Sequence, residues 1–289
     1  MTTDAAEVDW IVLTMGNRPD MLRTALDSLC DDTTGRGEVV VVSNGAGPLD
    51  EVTDHTCARV IASAENVGVP QGRHLGLCGT SAPVVGFLDD DASASAGASR
   101  AIAEAFHDEP RLAAVSLRIT DEDGVSARKH IPRLGGAPLA GRVDVAYFLG
   151  GACALRRTAY EQVGGYFGEL FYGHEEIELG WRLVDAGWSI RYLGDVEVFH
   201  PRTAISRHPE GWALTGRNRV LVARRTLPWP IALVHVAVWL PLGLRRAPRS
   251  MWRSYVHGWW SGWRHPVERR PIRFRTVWTL TRLGRPPLI

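Results

Sequence analysis

Three acidic residues in a row, Asp89-Asp90-Asp91, directly follow the apolar run Pro83–Leu88 (PVVGFL). Carboxylates this close repel one another unless a cation neutralises them. Hard oxygen ligands favour Mg²⁺ or Mn²⁺, and such ions commonly bridge to phosphate oxygens. The competing reading is a solvated acidic turn, which is less natural directly behind a buried strand. A second group, His174-Glu175-Glu176-Ile177-Glu178-Leu179, stands where a helix begins. The helix dipole favours carboxylates there and keeps them ionised, able to take a proton. The same charges also serve plain helix initiation, so it is their pairing with the upstream aspartates that points to chemistry. The third feature is His200, in Val198-Phe199-His200-Pro201. Its ring could ligate a metal or could simply pack.

These groups need elements to hold them. Val8–Met15, Glu38–Val42, Ala58–Ala62, Pro83–Leu88 and Leu112–Leu117 read as strands, and Pro19–Leu29, Gln71–Cys78 and Ser99–Phe106 as helices between them. Alternation of nearly continuous apolar strands with helices predicts an α/β fold with a parallel sheet covered on both faces. Ligands of such sheets bind at the carboxyl ends of the strands. That directs attention to Thr14–Arg18, Ser43–Gly45, Glu65–Arg73 and Asp89–Asp91. Farther on, Val143–Leu149 leads to Gly150-Gly151 and the run Cys153–Leu155. A helix is expected near Arg157–Gln162 and another over Glu175–Ala186, then two short strands, Ser189–Tyr192 and Val196–Phe199.

In this order and spacing the segments resemble family 2 glycosyltransferases of the GT-A fold, in particular bacterial rhamnosyltransferase-like members. The likeness runs from about Trp10 to Pro230. It is carried by TMGNRPDMLRTALDSL, VVVVSNGA, ENVGVPQGRHLGL, FLDDD and FLGGACALRRTAYEQVGGYFGELFYGHEEIELGWRLVDAGW. The resemblance implies transfer of a sugar from a dTDP- or UDP-linked donor to an acceptor hydroxyl, with inversion and with Mg²⁺ or Mn²⁺. It assigns donor binding to Thr14, Asn17, Arg18, Ser43, Asn44, Asn66, Arg73, Asp89, Asp90 and Gly151, with Asp89 near the ribose. Asp91 would hold the metal, and His200 would complete that site. Glu176 would be the general base, with Glu175 as the alternative. Three positions depart from the family pattern: Ser43 stands for a common Asp, His74 for Asn, and Glu176 for Asp. Two rivals are a catalytically silent nucleotide-sugar or lipid-binding relative and a sugar-1-phosphate nucleotidyltransferase. The second would want a Gly-rich phosphate loop after the first strand, which TMGNRP does not supply.

The net charge of +1 conceals an asymmetry. From Pro201 onward there are 17 Arg, no Lys and only Glu210 and Glu268, a local charge of +15, against −14 for the first 200 residues. Eight of the 11 Trp also lie in this tail. The expected division is a catalytic domain over residues 1–205 and a basic helical region over 206–289, its helices broken by Pro228, Pro230, Pro241, Pro248 and Pro266. Leu227–Leu244 carries no charged residue and approaches the length of a membrane span. Trp and Arg on broken amphipathic helices suit a membrane surface first. Packing on the acidic body, a homodimer contact and a true span are the other readings. No recognised motif supports nucleic-acid binding. The acceptor would be a glycan, a lipid-linked saccharide or a small molecule. Four scattered cysteines without CxxC spacing suggest a reduced, cytoplasmic setting. The polar start, Met1–Asp9, does not read as a secretory signal.

Overall fold

The computed structural model describes residues 7–54, 56–137, 139–202 and 210–288. The expected boundary at 205/206 and the residues before Glu7 lie outside them. The chain runs β1 (Val8–Thr14), α1 (Pro19–Cys30), β2 (Arg36–Asn44), α2 (Asp50–Thr53), β3 (Ala58–Ser63), α3 (Val69–Cys78), β4 (Val84–Asp89), β5 (Ser93–Ala94) and α4 (Ala98–Asp108). It continues through β6 (Leu112–Thr120), β7 (Arg142–Asp144), β8 (Ala152–Arg156), α5 (Arg157–Gln162), α6 (Glu175–Asp185) and β9 (Ser189–Phe199). The tail adds α7 (Gly211–Thr226), α8 (Trp229–Arg246), α9 (Trp252–Arg264) and α10 (Phe274–Arg282).

Among the described residues nine strands form one sheet in the order β3-β2-β1-β4-β8-β6-β9-β5, with β7 paired to β9. The sheet is α/β and mostly parallel, as expected. β3, β2, β1 and β4 are mutually parallel, with Leu13 opposite Asp89 and Thr14 opposite Ser43. This register brings three strand ends to one edge. β8 departs from the parallel expectation, running antiparallel to both β4 and β6. An apolar run such as Cys153–Leu155 reads the same in either direction, so its periodicity cannot reveal this. The two strands expected over 189–199 are one. The register slips between Leu117 and Arg118, which pair with Leu193 and Glu197, so the intervening residues bulge instead of ending the strand. The expected strand over Val143–Leu149 stops at Asp144. Beyond it, Leu149 N–H donates to Ser116 Oγ rather than to a ladder.

Two apolar cores lie on the opposite faces of the sheet, one around Trp10, Leu22 and Ile102, the other around Phe87, Tyr160 and Leu179. A third joins the tail to the body. Ala146, Tyr147, Leu170 and Trp181 pack with Val220, Leu221, Val236, Ile272 and Leu280. Burial of apolar surface there contributes about 25 cal/mol per Å² to holding the two parts together. It is reinforced by polar contacts. Glu178, fully buried, accepts hydrogen bonds from Arg182 Nε (2.8 Å) and Arg225 Nε (2.9 Å). Asp185 accepts from Thr276 Oγ1 and Arg273 N. Within the tail, α7 and α9 approach so closely that a Cβ at Gly258 would lie 1.9 Å from the Ala213 carbonyl oxygen. Packing on the body is thus realised for a large part of the tail. No helix among the described residues is long and apolar enough to cross a membrane. Pro241 does not break its helix but sits inside α8. One cysteine pair departs from the reduced setting expected: Cys30, ending α1, is disulfide-bonded to Cys57, just before β3. Cys78 and Cys153 are free thiols.

Candidate functional site

The ends of β1 and β4 and the first turn of α1 build one side of the site. Thr14, the last residue of β1, donates from Oγ1 to Asp90 Oδ2 at 2.6 Å. Arg18, just ahead of α1, forks across two aspartates, with Nη2 2.5 Å from Asp90 Oδ1 and Nη1 2.5 Å from Asp91 Oδ2. A guanidinium fork matches such a pair of oxygens and offsets part of their repulsion. Burial pushes the Asp90 carboxyl upward, with Asp89 and Asp91 adding to the shift and the Thr14 hydrogen bond and Arg18 opposing it. Asp89, at the β4 terminus, is the most exposed of the three. Desolvation acts upward on it, yet the His200 hydrogen bond and the Arg73 and Arg18 guanidiniums hold it below the usual carboxylate range.

His200 follows β9, and its Nε2 lies 3.4 Å from Asp91 Oδ1 and 3.7 Å from Asp89 Oδ2. Nδ1 sits 2.8 Å from the Pro201 carbonyl, to which its N–H can donate. That tautomer leaves Nε2 with a lone pair aimed between two carboxylates, the disposition of a metal-ligating histidine. One ligand atom each from Asp89, Asp91 and His200 lie within 4.8 Å of one another. Two hard oxygens and one imidazole suit Mn²⁺ or Mg²⁺. The residues present therefore fit the cation expected from the sequence. Burial lowers the His200 pKa, but the flanking aspartates outweigh it and the net shift is upward.

Arg73, buried on α3, ties this cluster to the second acidic group. Its Nη2 is 3.5 Å from Asp89 Oδ1, while Nη1 is 3.2 Å from Glu176 Oε1 and 3.5 Å from Glu175 Oε1. Gly150 and Gly151 make room for this arrangement. A Cβ at Gly150 would fall 2.0 Å from Glu176 Oε1, and one at Gly151 2.0 Å from Asp89 Oδ2. The two glutamates open α6 behind His174, whose φ is +77°, a left-handed conformation that costs a non-glycine residue energy. Asn218 of α7 holds the preceding loop, donating from Nδ2 to the carbonyls of Leu170, Tyr172 and Gly173. Glu175 is nearly fully buried, and its Oε2 has no hydrogen-bond partner. Burial first, then the adjacent Glu176, pushes its pKa up to about 8 against the pull of Arg73. Glu176 retains 20% side-chain exposure.

A cavity of about 590 Å³ opens over the strand ends. Thr14, Asn17, Arg18, Asn44, Asn66, Arg73, Asp89, Asp90, Asp91 and His200 all line it. Asn44 and Asn66 are linked at 2.9 Å, and Asn44 Oδ1 accepts from Val67 N–H, which fixes the rim. Ser43 is not among the lining residues. It is buried, its hydroxyl directed to the carbonyls of Ala46 and Gly47, so it shapes the turn. Gly151, Glu175 and Glu176 do not line the cavity either and reach it through Asp89 and Arg73. Lys129, Phe171 and Tyr172 also line it and were missed from sequence. Lys129 is the only lysine in the chain, a signal that could have marked it.

Comparison with known proteins reaches the same segments. The profile described as glycosyl transferase family 2 matches residues 10–164, which carry the β1 end, the rim asparagines and the aspartate cluster. The chain belongs to glycosyltransferase family 2. Within that family, a pre-mycofactocin glycosyltransferase of Mycobacterium tuberculosis is 30% identical over 204 residues. That match covers 66% of this chain, and the chain spans only 42% of the relative's length. An N-acetylglucosaminyl-diphospho-decaprenol L-rhamnosyltransferase of the same organism is 44% identical over 54 residues, 18% of each chain. The fold is that of solved GT-A transferases. The chain superposes on GalNAc-T7, solved with UDP, GalNAc and Mn²⁺, at a TM-score of 0.65, with 13% identity, covering 88% of this chain and 55% of that one. It superposes on the mannosyltransferase PcManGT of Pyrobaculum calidifontis, solved with GDP-Man and Mn²⁺, at 0.53, with 17% identity, covering 96% and 73%.

Proposed function

We propose that the protein transfers a sugar from a nucleotide-diphosphate donor to an acceptor hydroxyl by a single inverting displacement. The observation that carries this reading is Arg73, which joins the Asp89–Asp91–His200 cluster to Glu175 and Glu176 in one connected site. UDP with Mn²⁺ in one structural neighbour and GDP-Man with Mn²⁺ in another support a donor of this class. The resemblance to rhamnosyltransferases favours a dTDP- or UDP-linked sugar. Thr14, Asn17, Arg18, Asn44 and Asn66 hold the nucleotide along the cavity wall. Asp91 and His200, with Asp89 beside them, would hold Mg²⁺ or Mn²⁺, which supplies positive charge against the departing diphosphate. Glu176 accepts the proton of the acceptor hydroxyl as its oxygen bonds to the anomeric carbon. The bond from that carbon to the diphosphate breaks on the opposite face, and the nucleoside diphosphate leaves with the electron pair. No covalent glycosyl-enzyme intermediate is needed. Glu176 is the better base because it keeps 20% side-chain exposure whereas Glu175 is nearly fully buried.

The test is nucleotide release from dTDP-, UDP- and GDP-sugars with Mn²⁺, with and without chelator, for the wild type and Asp91→Asn. Chelator-sensitive release that Asp91→Asn abolishes supports the reading. Binding without turnover across a broad acceptor panel would favour a silent nucleotide-sugar-binding relative.

The exposed face of the tail supports peripheral contact with an anionic lipid surface. Along α8, Trp229, Leu233, Val234 and Ala237 are exposed at helical spacing, and the helix itself carries no charged residue before Arg245, although Arg269 stacks over the Trp229 ring. On α9, Trp252 and Trp260 line an open groove of about 610 Å³ together with Arg253 and Arg264. Indole rings and guanidiniums together suit the headgroup layer. Co-sedimentation with vesicles containing phosphatidylglycerol, but not with phosphatidylcholine alone, is the expected result. Equal recovery in both supernatants rejects it.

A further inference from the structure

Arg219 of α7, Arg246 at the end of α8 and Arg285 after α10 converge from three separate segments on one region of the tail. Arg219 lies 3.6 Å over the Trp239 ring, and Arg246 stacks on the same ring at 4.8 Å. Arg285 lies 5.5 Å over the Tyr147 ring. Among the described residues none of the three forms an ion pair with a carboxylate, and Arg219 Nε is buried with no acceptor. Their neighbours Arg217, Arg224, Arg225 and Arg269 are all satisfied by carbonyl or carboxylate oxygens.

Three guanidiniums gathered without an acid repel one another. The Trp239 indole attracts Arg219 and Arg246, and the Tyr147 ring attracts Arg285, but neither ring cancels that repulsion. A buried polar atom without a partner, as Arg219 Nε is, calls for an explanation, and an anion bound from outside the chain is one. The location indicates what that is. Asn218, next to Arg219 on α7, donates to the carbonyls of Tyr172 and Gly173, directly ahead of His174 and Glu175, and Arg285 lies over the Tyr147 ring. The region therefore borders the two glutamates at the front of α6, while the nucleotide cavity lies at the strand ends and includes none of the three arginines.

We propose that Arg219, Arg246 and Arg285 form a phosphoryl-binding subsite for the acceptor, which is a molecule carrying a phosphate or diphosphate group near its reacting hydroxyl. Guanidinium forks match phosphoryl oxygens in pairs, and three of them suit a multiply charged group better than a single carboxylate. Consistent with this, burial and the adjacent Arg285 and Arg246 pull the Arg219 pKa down to about 9, so an arriving dianion relieves a strain already present. This rests on the transferase reading for its functional meaning, but the subsite can be tested without turnover.

The probe is inorganic pyrophosphate, titrated calorimetrically into the full chain in the presence of chelator, which removes the cation that would draw it to the aspartates. The expected result is saturable binding that weakens at least tenfold in Arg285→Gln and in Arg246→Gln and is unchanged in Arg18→Gln, at the nucleotide cavity. If Arg219→Gln fails to fold, Arg246 and Arg285 lie nearer the surface and keep the test intact. A parallel titration with farnesyl diphosphate separates two sources of the same chemistry: tenfold tighter binding than pyrophosphate indicates a lipid-linked group, and equal binding a soluble one. No binding to the metal-free wild type, equal binding to the two variants, or loss in Arg18→Gln overturns the subsite. UDP and dTDP binding with Mn²⁺ is measured on the same wild-type sample. If that persists while pyrophosphate fails, only the subsite falls. If nucleotide binding is also absent, the transferase reading falls with it.

Discussion

Replacing each of the two glutamates at the front of α6 by glutamine is expected to have very unequal effects. Glu175 and Glu176 are adjacent and touch the same guanidinium, but one is buried and the other is one-fifth exposed. With its pKa near 8, Glu175 is ionised in only about one molecule in ten at pH 7. A group already neutral loses little on becoming an amide of the same shape, so Glu175→Gln should change kcat less than about threefold. Glu176→Gln removes the proposed proton acceptor. General-base removal costs roughly 10²–10⁴ in rate, about 2.7–5.4 kcal/mol of barrier. The assay is steady-state release of nucleoside diphosphate at pH 7 with saturating donor, Mn²⁺ and acceptor. Binding of the nucleotide, measured separately, should be retained in both variants, because neither side chain lines the donor cavity. If Glu175→Gln loses as much as Glu176→Gln, or Glu176→Gln stays near normal, the assignment of the base is wrong.

Gly151→Ala should push Asp89 aside, since its new Cβ would lie 2.0 Å from Oδ2. A loss of at least tenfold in Mn²⁺ affinity, read from metal-dependent thermal shifts, is expected at a stability cost of about 1–3 kcal/mol. Glu178→Gln removes the anion between Arg182 and Arg225. Uncompensated buried charge costs about 3–5 kcal/mol, so calorimetry should show Tm lower by roughly 10 °C, and a shift under 2 °C would refute this reading. Stability should also depend on pH through Glu175. Burial raises its native pKa from 4.5 to about 8, so the stability it contributes is intact below about pH 4.5 and is lost as pH rises through 8. Urea midpoints measured from pH 5 to 8.5 should therefore fall less steeply in Glu175→Gln than in the wild type.

The parts of the site legible in the sequence are those whose residues are both chemically distinctive and adjacent in the chain. Asp89–Asp91 announces itself as three neighbouring carboxylates behind an apolar run, and Glu175–Glu176 as paired acids at a helix start. The parallel strands β1–β4 were equally plain, because each apolar run is followed by a helix-forming stretch. What stayed hidden depends on approach between distant segments. The direction of β8 leaves no trace in side-chain type. Nothing in Ser43 itself distinguishes a hydroxyl facing a cavity from one turned back to the carbonyls of its own loop. The cysteines at 30 and 57 carry no spacing signal, since it is the α1–β3 connection that brings them together. The tail was the least legible part: charge and Trp content suit a lipid surface, the acidic body or a second subunit alike. Only the third core shows how much of the tail is packed on the body.

That third core has a consequence for how such a chain can be recombined. Trp181, in the middle of α6, shares its packing with Val220, Val236 and Leu280, while the N-terminal end of the same helix carries Glu175 and Glu176. A cut near residue 205 would separate two stretches that look independent in composition. It would also strip the covering from the helix that presents both glutamates. The smallest transferable unit is therefore α6 together with the helices that cover it. A graft that exchanged the basic tail alone, to redirect the protein to another acceptor, would need the matching surface of α6 to travel with it.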